Sequence, residues 1–387
     1  MARFLITLPG RADGGRGARP AFPDSVTDLR RAFGPFDHLA QVGRAAEIAG
    51  FHGALAPFDP EGDESLVVAA GLLRQSRRLR AVAGFHPGIA TPVYAAKVSA
   101  SLQRFSGDRL DWRLAVDLDP AVARAQGDFL EGPDRYARAE EFLTVAKGVW
   151  SEEDYTYEGR FYQVLAGGFQ SPLAGRAFPR IHLSGTSKEA LELSARHADV
   201  HVFDPEDDIE AASLPGVAYG LRIPVLARDD DDEAWEAARR LWTRGGRAAE
   251  SLPDPDPRTR LWRGFPPAGF PAAADPRRPG AGASPGAADA RQAGAAGPFE
   301  TEPAGSFGTA LIGSLNTRPS GSPGALPGAS LRNGLVGSFE TVAAGIRDYI
   351  DRGVGVFFLE ATPYIEETYR LGERLLPLLA KEDVRVR

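Results

Sequence analysis

Short apolar runs alternate with longer segments of helical periodicity along most of this chain. Residues 3–8 form the first run, and residues 36–49 then bring Leu39, Val42, Ala46 and Ala49 onto one helical face before Gly50. The same alternation predicts eight strands, at residues 3–8, 53–57, 79–85, 110–116, 180–184, 199–203, 217–226 and 354–359. Further helices are predicted at 64–75, 92–105, 134–150, 187–196, 232–244 and 364–379, with Asp134 as the N-cap of its helix. Eight strands alternating with helices favour an α/β fold of the closed (β/α)8 TIM-barrel type over an open doubly wound sheet.

Two segments interrupt this alternation within what we expect to be a single domain, residues 1–387. Period-two alternation around Glu158 and Gly159 predicts a hairpin insertion near 155–162. Between 245 and 334 the composition changes to Pro, Gly, Ala and Ser with almost no periodicity, which predicts a long, flexible low-complexity insertion. Such an insertion either closes over the active site of a barrel or is dispensable, and the sequence does not choose between the two.

Composition and charge exclude several classes of function. The net charge is −7 and Lys and Arg form no cluster on a predicted helix, so we expect no nucleic-acid partner. The chain has no Cys, which excludes disulfides and thiol nucleophiles, and its six His residues lack metal-binding spacing, so no metal is expected. The apolar stretch at residues 4–8 is too short for a signal peptide, and nothing approaches the roughly 20 apolar residues of a membrane span. We therefore expect a cytoplasmic protein without a membrane partner.

The strongest local candidate for a binding site is the turn formed by Ser184, Gly185, Thr186 and Ser187, hereafter the 184–187 turn. It connects a predicted strand directly to a predicted helix, so backbone N–H groups and hydroxyls converge at a helix N-terminus, an arrangement that suits a phosphate. An ordinary Ser cap is the alternative. His86 and Asp117 follow the third and fourth strands, at the barrel rim where catalytic side chains project. For His86, a loop histidine hydrogen-bonded to backbone remains equally open.

Several segments resemble the bacterial luciferase-like flavin-dependent monooxygenases, and the alkanesulfonate monooxygenase branch in particular. The likeness covers most of the chain outside 245–330 and rests on order and spacing more than on any single motif. The segments that carry it are Gly50-Phe-His-Gly-Ala-Leu, Thr91-Pro-Val-Tyr-Ala-Ala-Lys, Leu102-Gln-Arg-Phe-Ser-Gly-Asp-Arg-Leu, Asp134-Arg-Tyr-Ala-Arg-Ala-Glu-Glu-Phe, Tyr157-Glu-Gly-Arg-Phe-Tyr, Leu335-Val-Gly-Ser and Pro363-Tyr-Ile-Glu-Glu-Thr-Tyr-Arg.

This resemblance implies an enzyme that binds reduced FMN (FMNH2) from a separate NAD(P)H-dependent flavin reductase and uses O2 to oxygenate a small-molecule substrate. It also implies that the 184–187 turn holds the FMN phosphate with help from Tyr136, and that His86 and Asp117 lie near the flavin ring. Arg222 matches the active-site arginine of the family, whose guanidinium suits an anionic group, although a rim salt bridge is the alternative. We further expect a homo-oligomer.

The chain departs from the alkanesulfonate branch at several positions. Pro224 stands where that branch has a histidine, Thr362 and Tyr364 stand where it has a tyrosine and a histidine, and Gly62 replaces a cysteine. By this resemblance, Arg222, Thr362 and Tyr364 are the candidate catalytic residues. The departures favour a substrate other than an alkanesulfonate. They also keep two alternatives open, an F420-dependent oxidoreductase of the same fold and a catalytically degenerate flavin-fold partner subunit.

Overall fold

Eight parallel strands close into a barrel, which confirms the predicted fold class. The computed structural model describes residues 2–10, 35–244, 251–256, 260–265 and 331–380. Its strands are β1 Arg3–Thr7, β2 Gly53–Ala56, β3 Arg80–Phe85, β4 Leu110–Leu114, β5 Tyr155–Glu158, β6 Gln163–Gly167, β7 Arg180–Ser184, β8 Val200–Phe203, β9 Ala218–Arg228, β10 Leu261–Phe265, β11 Arg332–Ser338 and β12 Val354–Glu360. The barrel order is β1-β2-β3-β4-β7-β8-β9-β12, and β12 closes it by pairing with β1.

Helices cover the outside of the barrel. They are α1 Pro35–Ile48, α2 Ser65–Gln75, α3 Pro92–Ser106, α4 Pro120–Ala125, α5 Pro133–Ser151, α6 Lys188–His197, α7 Asp231–Arg244, α8 Phe339–Asp351, α9 Tyr364–Arg370 and α10 Leu376–Ala380, with a π-helical turn Leu371–Leu375 between the last two. The sequence pattern did not predict α4 or α8. Among the described residues, no helix has the length and apolar character needed to cross a membrane.

Strand β9 is longer than the other barrel strands because its second half leaves the barrel. Residues 225–228 pair in parallel with β11, and β10 pairs with β11 in the antiparallel direction. Trp262 of β10 is fully buried and packs edge-on against Trp235 of α7. Strands β10 and β11 therefore show that ordered structure occurs within the predicted 245–334 insertion. Residues 245–250, 257–259 and 266–330 of that insertion lie outside the described residues.

The predicted hairpin is present as β5 and β6 and extends to Gly167. The N-cap of helix α5, which holds the hairpin, is not the expected Asp134. Helix α5 begins at Pro133, which tolerates the first helical position because a proline has no N–H to leave unpaired there, and Gly132 caps the helix with φ 54° and no side-chain hydrogen bond. Asp134 lies inside the first turn, where both of its oxygens accept hydrogen bonds from Arg160 of the hairpin turn.

The barrel interior is apolar at mid-height and charged toward the ends of the strands. One buried layer fills the interior, formed by Leu5, Leu55, Val82, Val200, Val202, Val356 and Phe358. Two larger clusters seal the helices against the outside of the barrel. The polar side chains that project past this layer, toward the carboxyl ends of the strands, form the site described next.

Candidate active site

The 184–187 turn has the backbone geometry of a tight strand-to-helix connection. Strand β7 ends at Ser184, Gly185 has φ 113°, and Ser187 caps α6 by accepting a hydrogen bond from the backbone N–H of Ala190 at 3.2 Å. A Cβ on Gly185 would lie only 2.9 Å from the Cβ of Ala190. Glycine is therefore required at this position both for its positive φ and for the close approach of the helix.

Tyr136 and Asp117 meet at this turn, so Tyr136 lies where the family resemblance implied that it would assist in binding the phosphate. Ser187 Oγ donates to the Tyr136 hydroxyl at 3.1 Å, and that hydroxyl donates a short hydrogen bond to Asp117 Oδ2. Burial, followed by the hydrogen bond to Asp117, raises the pKa of Tyr136 to about 12, so its phenol stays protonated. The Asp117 carboxylate lies at the α6 N-terminus, 3.2 Å from the position a Cβ on Gly185 would take, and its expected place beside the flavin ring stays a prediction.

His86 lies at the end of β3 in the environment of a structural histidine. Its Nδ1 is 2.7 Å from the carbonyl oxygen of Ala115, its Nε2 is 2.6 Å from Asp128 Oδ2, and its side chain is 1% exposed. Arg138 of α5 donates to both oxygens of the same carboxylate at 2.7 and 2.8 Å. The backbone-bonded alternative therefore describes His86 better than a rim position beside a cofactor, because both ring nitrogens are engaged.

Asp128 is the residue that sequence reasoning missed in this network. It comes from the connection between α4 and α5 and is 5% exposed. Burial acts to raise its pKa, but the hydrogen bonds from Arg138, His86 and the Leu130 backbone outweigh burial and hold the pKa well below its usual range. Asp128 therefore stays ionised and ties the α4–α5 connection to the rim of β3.

Arg222 lies in the barrel mouth, as predicted from its strand position, but its charge is already paired. Its Nε and Nη2 donate to the two oxygens of Asp204 at 2.9 and 3.0 Å, and Glu360 Oε1 is 3.8 Å from Nε. Glu360 also pairs with Arg332 at 2.5 Å. The salt-bridge alternative is thus what the structure shows for Arg222, and Asp204 and Glu360 are charged partners that the sequence did not identify.

Arg113 of β4 completes this group of side chains, which we call the mouth cluster: Arg113, Asp204, Arg222, Arg332 and Glu360. The Arg113 guanidinium lies over the ring of Phe358 at 5.7 Å, and its Nη1 is buried with no hydrogen-bond partner among the described residues. Burial, followed by the positive charge of Arg222, lowers the pKa of Arg113 to about 10, so it remains a cation at neutral pH.

Thr362 and Tyr364 both follow β12 but differ in environment. Thr362 is exposed and its side chain makes no hydrogen bond within the described part of the chain. Tyr364 is the first residue of α9, and burial, followed by the charge of Glu360, raises its pKa to about 12. Tyr364 is therefore a neutral hydroxyl next to the mouth cluster, whereas Thr362 has no visible link to it.

A family model described as luciferase-like monooxygenase matches residues 2–355. The chain belongs to the luciferase-like monooxygenase family. The prediction of a family enzyme is thereby confirmed, while membership of the alkanesulfonate branch stays a prediction.

Solved structures share this fold at low sequence identity. A riboflavin lyase structure with modified FMN and riboflavin is 15% identical at a TM-score of 0.63, and the match covers 99% of this chain and 92% of that one. EDTA monooxygenase from Chelativorans sp. BNC1 is 14% identical at 0.62, covering 99% and 94%. The coenzyme F420-dependent tetrahydromethanopterin reductase from Methanopyrus kandleri is 13% identical at 0.59, covering 97% and 99%. This luciferase-like chain thus shares its fold with proteins named for different cofactors.

Two departures from the sulfonate branch have clear structural settings in this luciferase-like protein. Pro224 lies in β9 beside Glu360 and carries no group that could accept or donate a proton. A Cβ on Gly62 would lie 2.2 Å from the carbonyl oxygen of Gly10, so the local packing leaves no room for a cysteine side chain there. Pro224 therefore cannot take the role of the branch histidine, and Gly62 cannot take the role of the branch cysteine.

Two cavities lie away from the barrel mouth. One of about 750 Å³ runs between α1 and α2, and one of about 340 Å³ lies beside the start of α7. The second is lined by Arg228, Asp229, Glu233, Phe339, Glu366, Tyr369, Arg370, Glu373 and Arg374. We assign neither to a cofactor, because neither includes the 184–187 turn or the mouth cluster.

The residues of the barrel rim fit a flavin, with one opposing feature. The 184–187 turn and Tyr136 offer hydroxyls at the positive end of α6, and Arg113 offers an unpaired buried donor inside the barrel. The carboxylate of Asp117 opposes a phosphate at the same turn because like charges repel. The rim therefore fits a flavin, with the Asp117 charge acting against its phosphate.

Proposed function

We propose that this protein is a monooxygenase that takes FMNH2 from a separate NAD(P)H-dependent flavin reductase and oxygenates a small organic substrate with O2. The observation that carries the proposal is the joining of Tyr136 to the 184–187 turn at the carboxyl end of the barrel, in a chain of the luciferase-like family. Reduced flavin supplies the reactivity toward O2 when it is bound. The protein's own residues bind the flavin and the substrate, orient them and shield them from water.

The α6 end of the rim is the binding element. Ser187 and Tyr136 present hydroxyls at a helix N-terminus, where backbone N–H groups and the helix dipole favour an anionic or strongly polar group. Gly185 lets this end of the ligand approach the backbone closely, because no side chain intervenes. These contacts anchor the end of the cofactor that does not react.

The β9 and β12 ends of the rim are the substrate side. Arg222 is held in place by Asp204, and a fixed guanidinium orients polar substrate groups at little further cost in side-chain entropy. Tyr364 remains protonated near neutral pH and can donate one hydrogen bond. Since Pro224 offers no proton-transfer group, the reaction proposed here needs no base at that position.

The test is an anaerobic titration of the purified protein with FMN, FMNH2 and F420, followed by a reductase-coupled O2 assay with candidate substrates. We expect FMNH2 to bind more tightly than F420. Tighter binding of F420 would replace the proposal with the hydride-transfer alternative. Flavin binding with no substrate-dependent O2 consumption, and activity only with a second subunit, would favour the degenerate partner.

A matched pair of glycine variants locates the site. Gly185→Ala places a Cβ against Ala190 and forces a positive φ on alanine, so it should abolish tight flavin binding. Gly175→Ala introduces the same kind of backbone strain at φ 77°, but its Cβ would meet nothing within 4 Å. Equal loss of flavin binding in both variants would remove the 184–187 turn from the proposal.

A further inference from the structure

Among the five side chains of the mouth cluster, Arg113 is the cation without a salt-bridge partner in the described part of the chain. Arg222 and Arg332 pair with Asp204 and Glu360, whereas Arg113 has no carboxylate partner among the described residues. The charges that affect its pKa come from the other four members of the cluster. These five side chains comprise three cations and two anions, and Glu206 adds a further carboxylate near Arg222 but is not among the charges that act on Arg113.

Arg113 is half-buried as a residue but its Nη1 atom is fully buried, and burying part of an unpaired cation is costly unless something compensates for it. Arg113 gains a contact with the face of the Phe358 ring, which stabilises a cation only modestly. Its Nη1 remains buried without a hydrogen-bond acceptor. Unsatisfied buried donors are rare in proteins and call for an explanation, of which a missing ligand is one.

The neighbouring positions leave Arg113 free to reach a ligand within the barrel. In the adjacent strands its register partners are Gly84, which has no side chain, and His182. The His182 ring is also buried, its Nε2 lies 3.9 Å from Asp111 Oδ2, and burial lowers its pKa, so it is neutral and supplies no counter-charge. The acceptor that Arg113 lacks must come from outside this set.

We propose that Arg113 binds a delocalised monoanionic group at the barrel mouth, and that Arg113, rather than Arg222, is the anion-binding arginine of this protein. Two sources supply such a group: a carboxylate or sulfonate on the substrate, or the anionic ring of reduced flavin. A guanidinium suits either one because it donates two parallel hydrogen bonds to a planar or forked acceptor. The flavin source rests on the proposed function, whereas the acid source does not.

The experiment uses Arg113→Met, which removes the charge at similar length, and Arg113→Lys, which keeps it. Arg180→Met is the matched control, because Arg180 is exposed at the start of β7, the opposite end of the barrel. In one arm, acetate and methanesulfonate are titrated into flavin-free protein by calorimetry. In the other arm, oxidised and reduced FMN are titrated anaerobically, and the ratio of their affinities is measured.

We expect Arg113→Met to lower the affinity for at least one of these ligands by a factor of about 10 to 100, the range for losing a hydrogen bond to a charged group. A loss confined to reduced FMN identifies the flavin as the source, and a loss confined to the small acids identifies the substrate. Arg113→Lys should retain part of the affinity, and Arg180→Met all of it.

A second readout separates ligand binding from a structural role. Without ligand, Arg113→Met should unfold at the same or a higher temperature than the wild type, since it removes an uncompensated buried charge. A lower unfolding temperature for Arg113→Met, or unchanged affinity for all four ligands, overturns the proposal. If the wild type binds small acids through Arg113 but binds no flavin, the proposed function fails and this inference stands.

Discussion

Replacing Asp117 with asparagine should strengthen the binding of FMN to this protein. The Asp117 carboxylate lies at the N-terminus of α6, where it accepts a hydrogen bond from Tyr136 and approaches Gly185. An FMN phosphate bound at the same turn would lie near this carboxylate, so the two anions would repel each other. Asparagine removes the charge but keeps an oxygen that can accept the hydrogen bond from Tyr136.

The size of the effect follows from the distance and the exposure. Two unit charges about 4 Å apart repel by about 1 kcal/mol in water, and Asp117 is exposed, so the aqueous value applies. A phosphate monoester carries a charge of about −1.5 to −2 at neutral pH, which brings the repulsion to about 1.5–2 kcal/mol. Because about 1.4 kcal/mol is a factor of ten, FMN should bind roughly 10 to 30 times more tightly to Asp117→Asn.

Riboflavin provides the internal comparison because it lacks the phosphate. Quenching of flavin fluorescence gives both dissociation constants for the wild type and for Asp117→Asn, and only the value for FMN should change. Glu131→Gln is the matched control, since it removes an exposed carboxylate that lies in the α4–α5 connection, away from the 184–187 turn. An equal gain for riboflavin and FMN, or no gain for FMN, would refute the placement of the phosphate at the 184–187 turn.

Three other substitutions test separate parts of the structure. Asp128→Asn should lower the free energy of unfolding, measured in urea, by about 3 kcal/mol, because it leaves Arg138 without its carboxylate partner. The folded-state pKa of Asp128 lies below its unfolded value, so this difference should be complete at neutral pH and should shrink below about pH 4. A variant as stable as the wild type at pH 7 would contradict this role. Ser187→Ala should lower the free energy of unfolding by about 1 kcal/mol because the α6 cap is lost. It should also weaken the binding of FMN more than the binding of riboflavin. Equal weakening of both would argue against a phosphate contact. Gly148→Ala should lower the unfolding temperature, because its Cβ would lie 2.1 Å from the Tyr155 ring and the hairpin would have to move; an unchanged melting curve would show that the hairpin packs loosely.

The barrel was predictable because its signal is local and repeated. Each barrel strand is a short apolar run, and most helices place their apolar residues on one face, so the eight barrel strands were found in order. Helix α4 escaped prediction because it has only six residues, too few for periodicity to register. Helix α8 escaped for another reason: it directly follows β11, and the low-complexity composition before it hid the start of that strand.

The site was only half predictable, because its two halves depend on different information. The 184–187 turn is contiguous in sequence, and the family likeness adds Tyr136. The partners of the charged residues are distant in sequence: Asp128 is 42 positions from His86, and Asp204 is 18 from Arg222. Nothing in a single sequence pairs such residues. One usable signal was present in β4, where Asp111 and Arg113 alternate with apolar residues and thus predict polar side chains on the inner face of a barrel strand.

The pairing of Arg222 changes which reactions this rim can support. Binding a sulfonate through Arg222 would require the ligand to compete with Asp204, which holds two hydrogen bonds to the guanidinium, and with Glu360 nearby. The free-energy cost of leaving Asp204 or Glu360 unpaired in a partly buried site exceeds the stabilisation that an exposed salt bridge provides. A new anion therefore binds at lower cost beside Arg113, whose charge has no partner to give up. The departures at Pro224 and Thr362 point the same way, because the branch chemistry would need a proton-transfer group where this chain has none. The altered rim thus favours a substrate held deeper in the barrel than the β9 end.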